Sequence, residues 1–74
     1  MNPHKLAKMA NDIADFFRSE PSRHDAVLGI AGHIERFWEP RMRRQILEHA
    51  REPDNQLDEL VREALRHVKV AEAS

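Results

Sequence analysis

Apolar residues recur along the chain at every third or fourth position, in four blocks separated by short polar or proline-containing stretches. This spacing is that of one face of an α-helix, and no block shows the two-residue alternation of a β-strand. We therefore predict an all-α fold, a compact bundle of four helices in which the third is short. The apolar positions of the four blocks are Leu6, Met9, Ala10, Ile13, Phe16 and Phe17; Val27, Ile30, Ala31, Ile34, Phe37 and Trp38; Met42, Ile46, Leu47 and Ala50; and Leu57, Leu60, Val61, Ala64, Leu65 and Val68.

Prolines and capping residues predict where these helices begin and end. Pro21 ends the first helix, because proline disfavours helical geometry in the residue before it. Pro40 stops the second helix and suits the first position of the third. Residues 71–74 are expected to fray at the end of the last helix. The predicted helix starts are Asn2 with Pro3, Ser22 with Asp25, Pro40, and either Asn55 or Asp58.

Two glycines, Gly29 and Gly32, lie inside the predicted second helix. Each costs up to about 1 kcal/mol of helix propensity relative to alanine. A position without a side chain lets another helix come close. We therefore expect both glycines to mark a close approach of a neighbouring helix.

The length of 74 residues indicates one domain, spanning residues 1–74. A core of this size rarely supplies more than roughly 3–5 kcal/mol. The sequence contains no cysteine, so it has no disulfide or thiolate metal site to add stability. We expect a marginally stable chain that is a monomer or a weak homodimer when isolated, and that gains stability by docking to a larger partner.

Charge and hydropathy narrow the class of protein further. Twelve basic and thirteen acidic residues give a net charge of −1, whereas a general nucleic-acid binder is usually strongly basic. The first ten residues mix charged and apolar positions and contain no continuous apolar run, so they predict neither a signal peptide nor a membrane span. The simplest interpretation is a cytoplasmic protein that binds neither nucleic acid nor membrane.

Candidate chemistry within the chain is sparse. Five histidines suggest a metal site, but they do not form a paired ligand motif, and surface or core-edge histidines are the favoured interpretation. Ser19 and Ser22 lie at predicted helix ends, where capping explains them. The carboxylates are spread over polar faces, which does not favour a general acid and base in one cleft. We predict no catalytic, cofactor-binding or metal-binding residues.

The segment from His33 to Arg44, HIERFWEPRMRR, is the most distinctive part of the sequence, and we call it the elbow. It contains the only tryptophan and four of the nine arginines. Arginine beside aromatic residues and methionine is typical of protein interfaces. A solvated basic face and a DNA-binding helix-turn-helix remain open as alternatives. The four arginines are Arg36, Arg41, Arg43 and Arg44.

Trp38 has two interpretations within the elbow. It caps the core between the second and third helices, or it is an anchor that inserts into a partner. For a chain this small we expect partial burial with one exposed edge, which is compatible with both roles.

Three runs of the sequence resemble one known family, the small delta subunit of NAD-dependent formate dehydrogenase. They are KLAKMANDIADFF, AVLGIAGHIERFWEPRMRRQIL and LDELVREAL, at residues 5–17, 26–47 and 57–65. The resemblance spans almost the whole chain in the same order and is densest around the elbow. Two residues depart from the family pattern, Glu39 in place of aspartate and Glu59 in place of proline.

The resemblance implies a cytoplasmic bacterial protein that associates with an enzyme of molybdenum or tungsten, iron–sulfur clusters and flavin, which oxidises formate and reduces NAD. The delta chain would be non-catalytic and without a cofactor of its own. It would bind the large catalytic subunit and support assembly, cofactor insertion or stability. A free-standing nucleic-acid-binding regulator that uses the arginine-rich third helix is the alternative from another class, and a histidine-based metal-binding protein is a further one.

The predicted partner contacts lie in the elbow and on the first helix. Asn11 is included because periodicity does not explain a polar residue beside apolar positions there, and a contact to a neighbouring helix or to a partner would. The predicted partner-binding residues are Asn11, His33, Arg36, Phe37, Trp38, Pro40, Arg41, Met42 and Arg44.

Overall fold

A computed structural model describes residues 2–69 of the chain, in which all regular structure is α-helical. This confirms the predicted four-helix, all-α architecture with its short third helix, of 10 residues. The fourth helix is shorter still, at 7 residues, and Leu57 and Val68, the two ends of its predicted apolar stripe, are buried although they lie outside it. The predicted fraying of residues 71–74 lies outside the described residues. The helices are α1 (Pro3–Phe17), α2 (Arg23–Phe37), α3 (Pro40–His49) and α4 (Glu59–Leu65).

The predicted helix starts are confirmed, and capping contacts accompany those of α1 and α2. The Asn2 side chain accepts a hydrogen bond from the His4 N–H at 2.7 Å. Ser22 Oγ accepts from the Asp25 N–H at 3.3 Å, which satisfies a free donor of the first turn of α2. Glu39, which stands in place of the family's aspartate, precedes α3 without a side-chain capping bond.

The first two helices, joined by a short turn, form a hairpin against which the rest of the bundle packs. α2 packs against α1 on one side and α4 on another, while α3 packs on α1. Short α4 adds most of its residues to the interior. The fully buried larger side chains are Leu6, Val27, Ile30, Ile34, Ile46 and Val61, one or more from each helix.

A polar cluster attaches the start of α4 to α1. Asp58, and not Asn55, is the N-cap of α4, with Oδ1 accepting from the Leu60 N–H at 2.9 Å. Its Oδ2 accepts from Arg18 at 2.6 Å, and Arg18 also donates to Asp15 at 3.0 Å. The beginning of the shortest helix is therefore tied to the end of the first.

The same cluster shifts two pKa values. Partial burial alone would raise the pKa of Asp58, but the hydrogen bonds from Arg18 and from the Leu60 N–H, with the charges of Arg18 and Arg62, lower it below its ordinary value. The hydrogen bonds to Asp58 and Asp15 raise the pKa of Arg18 above its ordinary value. Both shifts favour the charged pair.

Asn55, the other residue considered as a cap, is buried in the loop between α3 and α4. Its Nδ2 donates to the carbonyls of Ala50 and Glu52, and its Oδ1 accepts from the Leu57 N–H. The Asn55 side chain thus supplies hydrogen-bond partners for three backbone groups of the loop. Its own polar atoms are satisfied in turn, as burial requires.

The two glycines of α2 have different surroundings. A Cβ built on Gly29 would lie 2.6 Å from the ring of Phe17, so the ring occupies the space that a side chain would fill. A Cβ on Gly32 would have no neighbour within 4 Å in the part of the chain that the structure describes. The expected close approach is confirmed at Gly29, where an aromatic ring makes it, and is wrong at Gly32 among these residues.

A search of residues 2–69 for a helix able to cross a membrane, one both long and apolar enough, found none.

Candidate docking surface

Three large apolar side chains are exposed on the surface of the hairpin formed by α1 and α2. Phe16 is 75% exposed, Phe37 is 68% exposed and Leu28 is 44% exposed. The prediction that Phe16 and Phe37 belong to the core stripes is wrong. Neighbouring positions on a helix point about 100° apart. Phe17 and Trp38 pack against the core, and the residue before each points toward solvent.

Aromatic rings connect these exposed positions into one surface. Phe16 and Phe17 meet edge to face with centroids 5.1 Å apart, and His33 lies 6.5 Å from Phe17 and 4.7 Å from Phe37. These distances are those of aromatic pairs that interact. We call the set Phe16, Phe17, Leu28, His33 and Phe37 the aromatic patch.

A shallow groove of about 540 Å³ runs along α2 within the aromatic patch. Its walls include Phe17, Leu28 and Phe37, and both glycines line it. A second, almost entirely apolar depression lies beside it between Ile13, Phe16 and His33. Since both depressions are lined by α1 and α2 alone, the hairpin by itself builds the whole surface.

The rim of the groove carries one basic side chain whose charge is not used within residues 2–69. Arg36 lines the groove and is exposed, and it takes part in none of the ion pairs of that range. Asp12 pairs with Lys8 at 3.3 Å, whereas Glu35, which also lines the groove, accepts a hydrogen bond from the Lys69 N–H at 2.7 Å and keeps its negative charge. The rim therefore offers a partner an arginine without an ion pair in this range and a carboxylate that is already hydrogen-bonded.

Arg43 does not belong to an exposed basic face, which was one of the alternatives left open for the four arginines of the elbow. It is only 8% exposed, and its Nη1 donates to the carbonyl oxygen of Glu35 at 2.7 Å. Glu35 lies in the last turn of α2, where carbonyls lack helical partners and a cation complements the helix dipole. Arg43 therefore caps the end of α2 from α3.

Trp38 is a core residue. It is 5% exposed and belongs to the main apolar cluster, so the expected exposed edge is wrong. Its backbone N–H closes α2 by donating to the Ile34 carbonyl at 2.9 Å. The elbow is thus divided: Trp38 and Arg43 support the fold, and the residues around them remain at the surface.

The other predicted partner contacts fall into two groups. His33, Arg36 and Phe37 lie together on the aromatic patch and its rim. Pro40, Arg41 and Arg44 are exposed on α3, with Met42 partly buried against the core. Their role toward a partner stays a prediction.

Asn11 has a role inside the fold. Its Nδ2 donates to the Gln56 carbonyl at 3.0 Å, and its Oδ1 accepts from the Asp58 N–H at 2.8 Å. This answers the question that periodicity left open, since the polar contact is made to the segment before α4. A contact of Asn11 with another protein stays a prediction.

The described residues do not bring three metal-ligating side chains together. His4 and His49 do lie side by side, with ring centroids 5.6 Å apart. His49 Nε2 is within 3.0 Å of the Asn55 carbonyl, a contact that fixes the ring to the loop. These two histidines therefore contribute to packing at the end of α3.

Phe16 and Leu28 are the surface residues that periodicity missed. Adjacency to Phe17 gave no decisive signal for Phe16, because the consecutive residues Leu60 and Val61 are both buried. Leu28 had no signal either, since an isolated leucine on a helix is compatible with either environment.

A small helical bundle that exposes Phe16, Leu28 and Phe37 on two adjacent helices has the features of a protein-interaction module. The family model of the NADH-dependent formate dehydrogenase delta subunit FdsD matches residues 5–65. The chain belongs to this family, which confirms the resemblance drawn from its sequence. Comparisons with curated proteins and with solved structures gave no match.

Proposed function

We propose that the chain is a non-catalytic accessory subunit or assembly factor that binds the large catalytic subunit of a cytoplasmic bacterial formate dehydrogenase. The enzyme it would serve carries molybdenum or tungsten, iron–sulfur clusters and flavin, and reduces NAD. The chain itself would hold no cofactor and would support assembly, cofactor insertion or stability. Membership in a family of formate dehydrogenase subunits supports an association with the other subunits.

The observation that carries the proposal is the exposure of Phe16 and Phe37 on one continuous surface. The two rings leave on the order of 300 Å² of apolar surface in water, given 150–250 Å² for a phenylalanine side chain. Such an area is at the scale of the largest patches on monomeric proteins, which are often functional. A subunit that docks through this surface would remove the rings from water.

Co-purification tests the proposal. A tagged chain is expressed in its own host, and the retained formate dehydrogenase subunits are quantified for the parent, for Phe16→Ser with Phe37→Ser, and for a control. The control, Lys5→Ser with Arg51→Ser, changes two exposed residues outside the patch. We expect the parent and the control to retain the enzyme and the double phenylalanine variant to lose it.

Two results would contradict the proposal at different levels. Retention of the enzyme by the double phenylalanine variant at the parent level would exclude the aromatic patch as the docking surface. Failure of the parent chain itself to retain any formate dehydrogenase subunit would exclude the function. Circular dichroism melts of all variants confirm that the fold is intact, as expected for side chains this exposed.

A further inference from the structure

Gly32 is a glycine in the middle of a helix for which the packing of the described residues gives no reason. Its neighbour Gly29 is explained by the Phe17 ring, which lies where a side chain would be. At Gly32 an added Cβ would meet no atom of residues 2–69 within 4 Å. Because glycine is less favourable than alanine inside a helix, the isolated chain would be more stable with alanine there. The space over Gly32 is also part of the groove of the aromatic patch.

The form of the groove indicates what kind of segment fits it. The groove is built from the sides of two helices, whose backbone groups are already paired within each helix. An added β-strand requires an unpaired sheet edge, whereas an amphipathic helix requires an apolar groove. From Leu28 to Phe37 the groove follows α2 for roughly 14 Å, or between two and three helical turns.

The charge of the rim indicates what the occupant carries. Arg36 is exposed and takes part in no ion pair among residues 2–69, while the neighbouring Glu35 is hydrogen-bonded to the Lys69 N–H. A carboxylate on the incoming segment would complement Arg36. In a two-fold pairing of identical chains Glu35 of the other copy would offer such a carboxylate, so charge alone does not decide the occupant. Membership in a family of formate dehydrogenase subunits favours another subunit of that enzyme.

We infer that the groove receives an amphipathic helix of a formate dehydrogenase subunit, which approaches closely over Gly32 and pairs an acidic side chain with Arg36. This inference rests on the proposed function and specifies the partner segment. Apolar residues of that helix contact Phe17, Leu28 and Phe37. The missing side chain at Gly32 sets the distance between the two helices.

The test uses Gly32→Ala. If Gly32 serves binding and not folding, this substitution should stabilise the isolated chain and weaken its binding to the enzyme. In the isolated chain we expect the melting temperature to rise by about 2–8 °C, since helix propensity improves and no atom is displaced. Binding to purified formate dehydrogenase that lacks the chain, measured by biolayer interferometry, should weaken by tenfold or more. The control is His24→Ala, an exposed change on the same helix outside the groove, which should bind as the parent does.

The charge of the partner is tested by Arg36→Glu and Arg36→Lys. Reversal should weaken binding by tenfold or more, and lysine should retain most of the affinity. Arg51→Glu, an exposed reversal outside the groove, serves as the matched control and should be close to the parent.

The outcomes separate the inference from the proposed function. If the parent chain binds the enzyme and both Gly32→Ala and Arg36→Glu bind equally well, the inference is overturned and the function stands. If the parent does not bind at all, the function fails first. If sedimentation shows a parent dimer that Gly32→Ala dissociates, the occupant is a second copy and the inference is also overturned.

Discussion

Asn11 on α1 holds the backbone of Asp58 at the start of α4, its Oδ1 accepting from the Asp58 N–H at 2.8 Å. The other end of the same amide donates to the carbonyl of Gln56, a residue with a left-handed φ of 59°. Such a backbone is uncommon for a residue other than glycine and persists only where its surroundings hold it. One side chain thus fixes the turn that carries Leu57 into the core.

Asn11→Ala should lower the free energy of unfolding by about 1–3 kcal/mol, because two backbone groups lose their partner. Urea denaturation followed by circular dichroism measures the change. The control is Asp12→Ala at the next position, where an exposed ion pair with Lys8 is lost and a change below about 0.5 kcal/mol is expected. Equal effects of the two substitutions would show that the Asn11 contacts do not stabilise the chain.

Asp58 should make the stability of the chain depend on acidic pH. Its pKa is lower in the folded chain than the ordinary value of 3.8, so the folded state favours the carboxylate. The resulting stabilisation is fully present above about pH 5 and is lost as the pH falls through the ordinary value toward the folded-state pKa. Asp58→Asn should therefore lose less stability than the parent between pH 5 and pH 2.

Urea denaturation at a series of pH values measures this difference. Asn preserves the ability to cap α4 but removes the titrating charge that Arg18 binds. Asp54→Asn, at an exposed position in the loop before α4, is the matched control. Identical pH dependence of the parent and the Asp58→Asn variant would mean that the pair with Arg18 contributes nothing to the titration of stability.

Gly29→Ala should destabilise the chain, in contrast to Gly32→Ala. The new methyl group would lie 2.6 Å from the Phe17 ring, and displacing the ring costs about 1–3 kcal/mol, which exceeds the gain in helix propensity. The conflict should disappear in a Phe17→Ala background, where Gly29→Ala should be neutral or stabilising. Thermal melts of the four chains of this double-mutant cycle measure the coupling. A stabilising effect of Gly29→Ala in the parent background would show that the ring moves away freely.

The sequence alone predicted the features of the fold that depend on residues close together in the chain. It did not predict contacts between residues on different helices. Helix existence and the capping residues Asn2 and Ser22 were predictable because their signals are local. The burial of Arg43 was not, because its partner carbonyl on Glu35 has no side-chain signature. The shortness of α4 escaped because the apolar stripe runs on through Leu57, which an extended segment buries equally well.

The residues of the aromatic patch and its rim were predicted only in part. Arg36 and Phe37 were identified through arginine and aromatic composition and His33 through the family resemblance, and the three lie together on the patch and its rim. Trp38 was expected to keep one exposed edge because the chain is small, and it is buried instead. Composition identifies the segment where an interface forms, but only the helix packing decides which of two adjacent aromatic residues faces outward.

Arg43→Ala should destabilise the isolated chain by about 1.5–3 kcal/mol, because a charged hydrogen bond that caps the end of α2 is lost. Arg44→Ala, at the next position, should change the free energy of unfolding by less than about 0.5 kcal/mol, since its side chain is exposed. Chemical denaturation distinguishes the two. Equal and small effects would show that the contact with Glu35 does not contribute to stability.

Arg41→Ala with Arg44→Ala tests whether docking extends from the aromatic patch to α3. Both arginines are exposed and take part in no ion pair among residues 2–69, so the double variant should melt like the parent. If they meet carboxylates of the catalytic subunit, truncation costs about 2–5 kcal/mol of binding free energy, because a buried charge on the partner loses its counterpart. We expect weaker co-purification with formate dehydrogenase, with an affinity that falls less with added salt than that of the parent. Retention at the parent level, beside loss of the enzyme by Phe16→Ser with Phe37→Ser, would confine the docking surface to α1 and α2.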